Sequence, residues 1–368
     1  MNYFWNLLKN IDKTLLLLPI IFAIISVVMV GSTMYDGAFI FTRAVKIQIV
    51  AYGLGFIAIG AMVFIDYKLY EGLEKIIYIG SILFLLTVYV PGLGVVHYGA
   101  RSWINLGVTD FQPSELVKIF FVILMATYLS RNRDNLHNLK GVLMAALYAS
   151  PFIVIILLED MGNAIVFCAI WIAMVFYAGI DYKLFLKLAG LALVSLPIIY
   201  RFMASHQKDR ISAFLHPENL SIDANYQVLQ SKIAIGSGGF FGKGLFQGTQ
   251  KQLDFLPVKE SDFIFAVIVE ELGMLGGMIL IGLYTFFLYR IAKIVKNAKD
   301  LYGALIAAGF MGMFGFQIFE NIAMTMGLMP VTGITLPFIS YGGSSILTNM
   351  TALGLILSIG MRSKSINF

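Results

Sequence analysis

Ten runs of mostly apolar residues, joined by short polar connections, leave this chain few ways to fold. About 20 such residues let a helix cross the hydrocarbon core of a bilayer, where only helices and closed barrels satisfy their own backbones. Helices are expected near residues 14 to 31, 45 to 66, 76 to 93, 113 to 130, 141 to 158, 162 to 179, 183 to 200, 262 to 289, 302 to 325 and 344 to 361. Barrel strands would instead be short and alternate apolar with polar residues. The composition agrees, with 59% hydrophobic and 13% charged residues, against about 45–50% and about 25% in soluble domains. The expected fold is an all-α polytopic membrane protein, a single domain over residues 1–368, with a large extracytoplasmic loop, 201–261, between the seventh and eighth spans.

The net charge is +5, but the basic residues sit in short clusters beside the apolar runs, as topology signals do. Lys9 and Lys13, Lys68 and Lys75, Arg131 to Lys140, Lys183 and Lys187, Arg290 to Lys299, and Arg362 and Lys364 fall on one side. The opposite short loops hold little beyond Arg43, Lys46 and Arg101. With an even number of spans, both termini are expected in the cytoplasm, in a cell membrane. Residues 92–112, 201–261 and 329–345 then lie outside; each is rich in Gly, Pro and polar groups, and long structured loops of this kind carry function.

Several chemistries are disfavoured. Cys168 is alone, so no intramolecular disulfide forms, and His97, His137, His206 and His216 have no zinc spacing. In the glycine-rich stretch 235–249, Gly244 follows Lys243 where a phosphate-cradling loop needs Ser or Thr. No nucleotide is therefore expected. No Gly-x-Ser-x-Gly nucleophile motif occurs.

The charged residues that remain near apolar runs are the candidates. Ser261 can cap a helix whose first turn holds Asp262, either as a residue favoured by the helix dipole or as a functional carboxylate. On one straight helix Glu270 would lie about 12 Å deeper and about 80° round, with Glu271 roughly opposite Asp262, so the three cannot meet on one atom. Glu270 and Glu271 would then sit in the span, where ions need partners, and a structural ion pair or network is expected of them. Glu115 and Lys118 are three apart on one helix face; they either organise the bundle or leave Lys118 to neutralise an anionic ligand. Arg101 beside Trp103 suits phosphate, and Arg210, Lys232 and Lys243 are further phosphate candidates. Pro330 to Ser345, with two prolines and three glycines, reads as a broken or re-entrant segment that must be buried in protein or line a cavity.

Taken in order, Gly99-Ala-Arg-Ser-Trp-Ile104, Gln112-Pro-Ser-Glu-Leu-Val-Lys118, Ala234-Ile-Gly-Ser-Gly-Gly239, Gly242-Lys-Gly244, Phe255-Leu-Pro257, Asp262-Phe-Ile-Phe-Ala-Val267, Glu270-Glu-Leu-Gly273 and Leu336-Pro-Phe-Ile-Ser-Tyr-Gly-Gly-Ser-Ser345 closely resemble the SEDS family (shape, elongation, division and sporulation). The match covers nearly the whole chain, and the short termini are more like the elongation member than the division member. The resemblance implies a ten-helix peptidoglycan glycosyltransferase that polymerises lipid II and works with a class B penicillin-binding protein. It also implies that Asp262 is the essential acidic residue. One departure is Leu158-Glu-Asp-Met-Gly-Asn-Ala164, where the family pattern expects Gln-Pro-Asp-Leu-Gly-Thr-Ala.

Under that resemblance, a sugar hydroxyl attacks an anomeric carbon with inversion, and a lipid diphosphate leaves. Such a reaction needs a base on the nucleophile's side and positive charge for the leaving group. Asp262 is expected as that base or as a ligand of a divalent cation such as Mg or Mn. Arg101, Lys118, Arg210 and Lys243 are expected to neutralise the diphosphate, and Ser340, Gly342, Gly343 and Ser344 to shape the substrate cavity. The competing reading is a lipid-linked precursor flippase, which predicts midplane ionisable groups and broken helices.

Overall fold

The computed structural model describes residues 9–35, 41–97, 100–105, 107, 110–219 and 223–363. Gly99 and Lys364, both used above, lie outside the described residues. Helices lie at the ten expected places. They are α1 Lys13–Thr33, α2 Arg43–Phe64, α3 Glu74–Leu86 with short 3₁₀ turns on either side, α4 Pro113–Arg131, α5 Leu139–Leu157, α6 Met161–Ala178 and α7 Tyr182–Phe202. Within the long loop come α8 Ser205–Leu215, α9 Asp223–Ser237 and α10 Thr249–Gln252, then α11 Ile264–Asn297, α12 Leu301–Thr325 and α13 Gly343–Ser363. Among the described residues, nine segments are long and apolar enough to cross a membrane; α7, with Lys183 and Lys187 in its first turns, is a further helix of 21 residues. The molecule is a polytopic membrane protein.

Aspartates set several helix starts by accepting backbone N–H groups that a first turn leaves unpaired. Asp12 accepts from Leu15 N, Asp160 from Asn163 N and Asp300 from Gly303 N, at 3.0, 2.9 and 2.8 Å. The centre of the bundle is α4, α12 and α13, whose side chains are mostly buried, and α6 packs along α12. At the end where α1 begins, ion pairs join the elements: Asp12 with Arg290, Lys68 with Asp300 and Glu74 with Arg131.

Two features depart from the sequence expectation. The first is a three-stranded antiparallel sheet, β1 Gly94–His97, β2 Ala100–Asn105 and β3 Asp110–Phe111, in a chain expected to be all helix. In β2, Ser102 and Ile104 point inward while Arg101 and Asn105 point out, the period-two alternation of a half-buried strand.

The second is that α11 is not one straight span. Its 34 residues would measure about 51 Å at about 1.5 Å each, far more than the roughly 30 Å hydrocarbon core. The chain breaks at Gly273, whose φ of 72° and ψ of −175° belong to a region open essentially to glycine alone. A Cβ added at Gly277 would lie 2.9 Å from the Val269 side chain and 3.6 Å from the Phe265 ring. Positions 265 and 277 would be about 18 Å apart on a straight helix. Residues 264–272 therefore fold back beside the residues after 273, and the spanning part is 274–297.

Candidate active site

The fold-back reverses the depth order expected of the three carboxylates. Ser32, near the end of α1, donates to Glu271 Oε1 at 2.7 Å and Oε2 at 2.8 Å. Ser26, six residues and about 9 Å nearer the bundle centre, donates to the Ile339 carbonyl at 2.7 Å. One residue on, Ser340 donates to the Ser261 carbonyl at 2.5 Å. Asp262 thus lies at the deep end of the half-helix, and Glu270 and Glu271 at its shallow end. The sequence expectation had them the other way round, because it assumed one unbroken helix.

At the shallow end every charge is answered. Glu270 accepts from Lys243 Nζ at 2.7 Å and from Gln250 N at 3.0 Å. Glu271 pairs with Lys251, and both are almost wholly buried. The glycine-rich stretch supplies the backbone partners that the broken helix lacks. Lys243 N and Gly244 N donate to the Glu270 and Glu271 carbonyls at 3.0 Å each, and Met274 N and Leu275 N donate to Gly239 and Phe240 at 2.9 and 3.1 Å. A Cβ at Gly242 would sit 2.1 Å from the Glu271 carbonyl oxygen, so the splint requires glycine there. Lys243 is thereby spent on Glu270 and does not line the cleft, contrary to its expected role on diphosphate.

The deep end opens into a cleft of about 1500 Å³. Its walls come from β2, the α5–α6 turn, α8, the residues before α11, the irregular segment 332–335 and the start of α13. Asp262 lies on its floor, half-buried and without a salt bridge among the described residues. Ser261 Oγ donates to Oδ1 at 3.1 Å, and Asn321 Nδ2 donates to the Asp262 carbonyl at 2.9 Å. Burial pushes the Asp262 carboxyl up to about 6, the Ser261 hydroxyl and the Arg210 charge draw it down, and Glu260 and Asp160 add to the rise. Arg210 projects from α8, which Gln207 pins by donating to the Leu157 carbonyl at 2.9 Å. Its guanidinium donates to the Thr332 carbonyl at 2.8 Å.

Of the other cations expected to meet a diphosphate, Lys118 is buried without exposure and donates to Glu115 Oε1 at 2.6 Å. It organises the base of the cleft through Glu115, a lining residue, and does not reach the space itself. Arg101 lines a smaller adjoining hollow, where its backbone N–H donates to Glu159 at 2.8 Å. Gly342, Gly343 and Ser344 line the cleft, whereas Ser340 is buried, accepting from Leu336 N at 2.8 Å and donating to Ser261. The departure from the family pattern leaves Asp160 in use: it caps α6 and accepts from Gln112 Nε2 at 2.8 Å. Asp110, Glu115, Glu159, Asp160, Glu260 and Asp262 face Arg210 as the cleft's only cation, so the space is acidic among the described residues. Yet no three His, Cys, Asp or Glu side chains among them gather as a metal-ligand set. The residues present do not make a built metal site.

Sequence reasoning missed the groove beside the cleft. Asp110, Gly343 and Ser344 border both spaces, and Ile47, Val50, Ala51, Leu54 and Leu347 make an apolar channel of about 1230 Å³. The exposed Arg43 and Lys46 stand at its head. Their place two and five residues after Phe41, before an apolar run, was the available signal.

Comparisons with known proteins place nearly the whole chain in one family. A family model for FtsW, RodA and SpoVE, described as cell cycle protein, matches residues 7–365. The chain belongs to this family. It is 35% identical to stage V sporulation protein E of Bacillus subtilis, over 96% of this chain and 98% of that protein. It is 34% identical to the peptidoglycan glycosyltransferase MrdB of Escherichia coli, over 99% and 97%. Among solved structures it is similar to the rod shape determining protein RodA of Thermus thermophilus, with a TM-score of 0.71, 29% identity and coverage of 97% and 98%. It is also similar to a chain of a peptidoglycan synthase complex solved for its coordination of polymerization and crosslinking, with a TM-score of 0.80, 31% identity and coverage of 95% and 97%.

Proposed function

We propose that this protein is a peptidoglycan glycosyltransferase that polymerises lipid II during wall elongation, acting at the outer face of the cell membrane with both termini in the cytoplasm. The excess of Lys and Arg at the end where α1 begins supports that orientation. The observation that carries the reading is the Asp262 carboxylate, without a salt bridge among the described residues, on the floor of a cleft that continues into an apolar groove headed by Arg43 and Lys46. A sugar linked through diphosphate to a long lipid has that same sequence of polar, anionic and apolar parts.

In this reading the acceptor hydroxyl meets Asp262, which takes its proton as the hydroxyl oxygen bonds to the anomeric carbon of the donor. The bond from that carbon to the diphosphate oxygen breaks with inversion, and the diphosphate departs with the electron pair. A carboxyl near 6 is roughly 90% ionised at pH 7 and is a stronger base than an ordinary aspartate. Arg210 is the cation in the cleft for the developing charge, and the basic head of the groove is placed for the lipid diphosphate.

The similarity to a chain of a synthase complex supports a transpeptidase partner, a class B penicillin-binding protein. The decisive assay uses the purified protein in vesicles with that partner and labelled lipid II, comparing wild type with Asp262→Asn. Polymer from the wild type alone is expected. No polymer from the wild type, or full activity from the variant, rejects the reading; lipid translocation without polymer would favour a flippase.

A further inference from the structure

Glu320 lies near the cleft end of α12 and is 1% exposed. Its Oε1 accepts from Thr332 Oγ1 at 2.9 Å, its Oε2 makes no hydrogen bond, and no Lys or Arg among the described residues pairs with it. A buried carboxyl with one partner is costly compared with an apolar side chain, so the position of that partner is informative.

Thr332, 3% exposed, is the residue whose carbonyl accepts from Arg210. The next residue, Gly333, faces Asp262 so closely that an added Cβ would lie 3.4 Å from Oδ2 and 3.8 Å from Arg210 Nη1. Behind them Asn321, the neighbour of Glu320, donates to the Ile334 carbonyl at 2.8 Å and to the Asp262 carbonyl at 2.9 Å. Residues 320 and 321 therefore grip residues 332–334 and the Asp262 backbone from one side. Asn321 holds the two carbonyls, and Glu320 holds the Thr332 hydroxyl. The segment between them has no helix or strand of its own.

We propose that Glu320 is a positioning residue: through the Thr332 hydroxyl it fixes the carbonyl that anchors Arg210 beside Asp262. It touches no reacting atom, and its contribution passes through Thr332 to Arg210. The inference rests on the glycosyltransferase reading for its catalytic consequence, while the mechanical link itself is testable without activity.

The test uses full-length protein in vesicles with its transpeptidase partner, in the variants Glu320→Gln, Glu320→Leu and Thr332→Val. Each is first checked for a single folded species by gel filtration and thermal unfolding. The turnover number for labelled lipid II is expected to fall about tenfold or more in Glu320→Leu, with KM within about threefold, since small misplacements of a catalytic group are costly. Glu320→Gln, which keeps an oxygen acceptor, is expected to stay within about threefold of wild type, and Thr332→Val to match Glu320→Leu without further loss in the double variant. Amide hydrogen exchange across 330–335 is read in parallel, and is expected to quicken in the Leu and Val variants but not in Gln. Unchanged exchange and turnover in Glu320→Leu, or a Gln variant as impaired as Leu, overturns the proposal. An inactive wild type with the expected exchange pattern would reject the glycosyltransferase reading and leave the mechanical link standing.

Discussion

The two ends of the half-helix 264–272, with Asp262 just before one and Glu270 and Glu271 at the other, are eight residues apart and chemically opposite. At one end Glu270 and Glu271 each hold a lysine, and share a serine hydroxyl, a threonine hydroxyl and two backbone amides between them, with Glu270 Oε2 the one oxygen left over. At the other, Asp262 has one hydroxyl and the nearby Arg210 guanidinium, which forms no salt bridge with it, and its carboxyl is pushed up to about 6. A buried ion fully paired is a structural element, whereas one left half-answered stays available for chemistry. Charge in an apolar setting therefore does not mark function; unspent charge does.

The comparison can be broken at either end. Asp262→Asn should reduce polymer formation by about 10²–10⁴-fold, the usual worth of a general base, with unfolding temperature nearly unchanged. A loss of stability instead would place Asp262 with the structural pair. Glu271→Leu should leave Lys251 buried and unpaired and cost about 3–5 kcal/mol, read by thermal unfolding in detergent. The double change Lys251→Met with Glu271→Leu should recover most of it, and a failure to recover would mean that the pair does more than balance itself.

A pH profile sharpens the contrast. Because Asp262 must be ionised to act as base, kcat/KM should fall about tenfold per unit below about pH 6. Arg210 holds that carboxyl down, so Arg210→Gln should move the acid limb to higher pH; movement to lower pH would contradict the assigned electrostatics. The smallest effect belongs to Lys243→Met. Lys243 is partly exposed, so water can reach the Glu270 carboxylate left behind, which keeps Gln250 N and Thr249 Oγ1 as donors; the expected cost is below the roughly 3–5 kcal/mol of stranding a fully enclosed charge.

How far the sequence foretold this molecule depended on how far each signal reached along the chain. The spans were legible because each apolar run is itself the cause of its helix; most observed bounds fall within a few residues of those expected, the exceptions being the end of the third helix, 86 against 93, and the eighth span, 274–297 against 262–289. Asp262 was legible through the motif that follows it. Its depth was not, since apolar residues continue on both sides of Gly273 and nothing local separates a kink glycine from those at 276 and 277. Whether Lys118 and Lys243 were free depended on contacts with Glu115 and Glu270. The first pair is three residues apart and was foreseen; the second spans 27 positions and was not. The small sheet escaped because strands of two to six residues carry too little periodicity to register.

The irregular segment before α13 owes its shape to side chains arriving from four different helices. Ser26, Gln48, Tyr52, Tyr284 and Asn321 each end on one of its carbonyls, from Ile334 to Ser340. Five tethers on seven residues make this run a mechanical junction. A tilt of any one helix, whether from bilayer thickness, a neighbouring protein or temperature, pulls directly on the backbone that borders the Asp262 carboxylate. The shape of the cleft floor is therefore set by the packing of four helices rather than by the segment's own backbone.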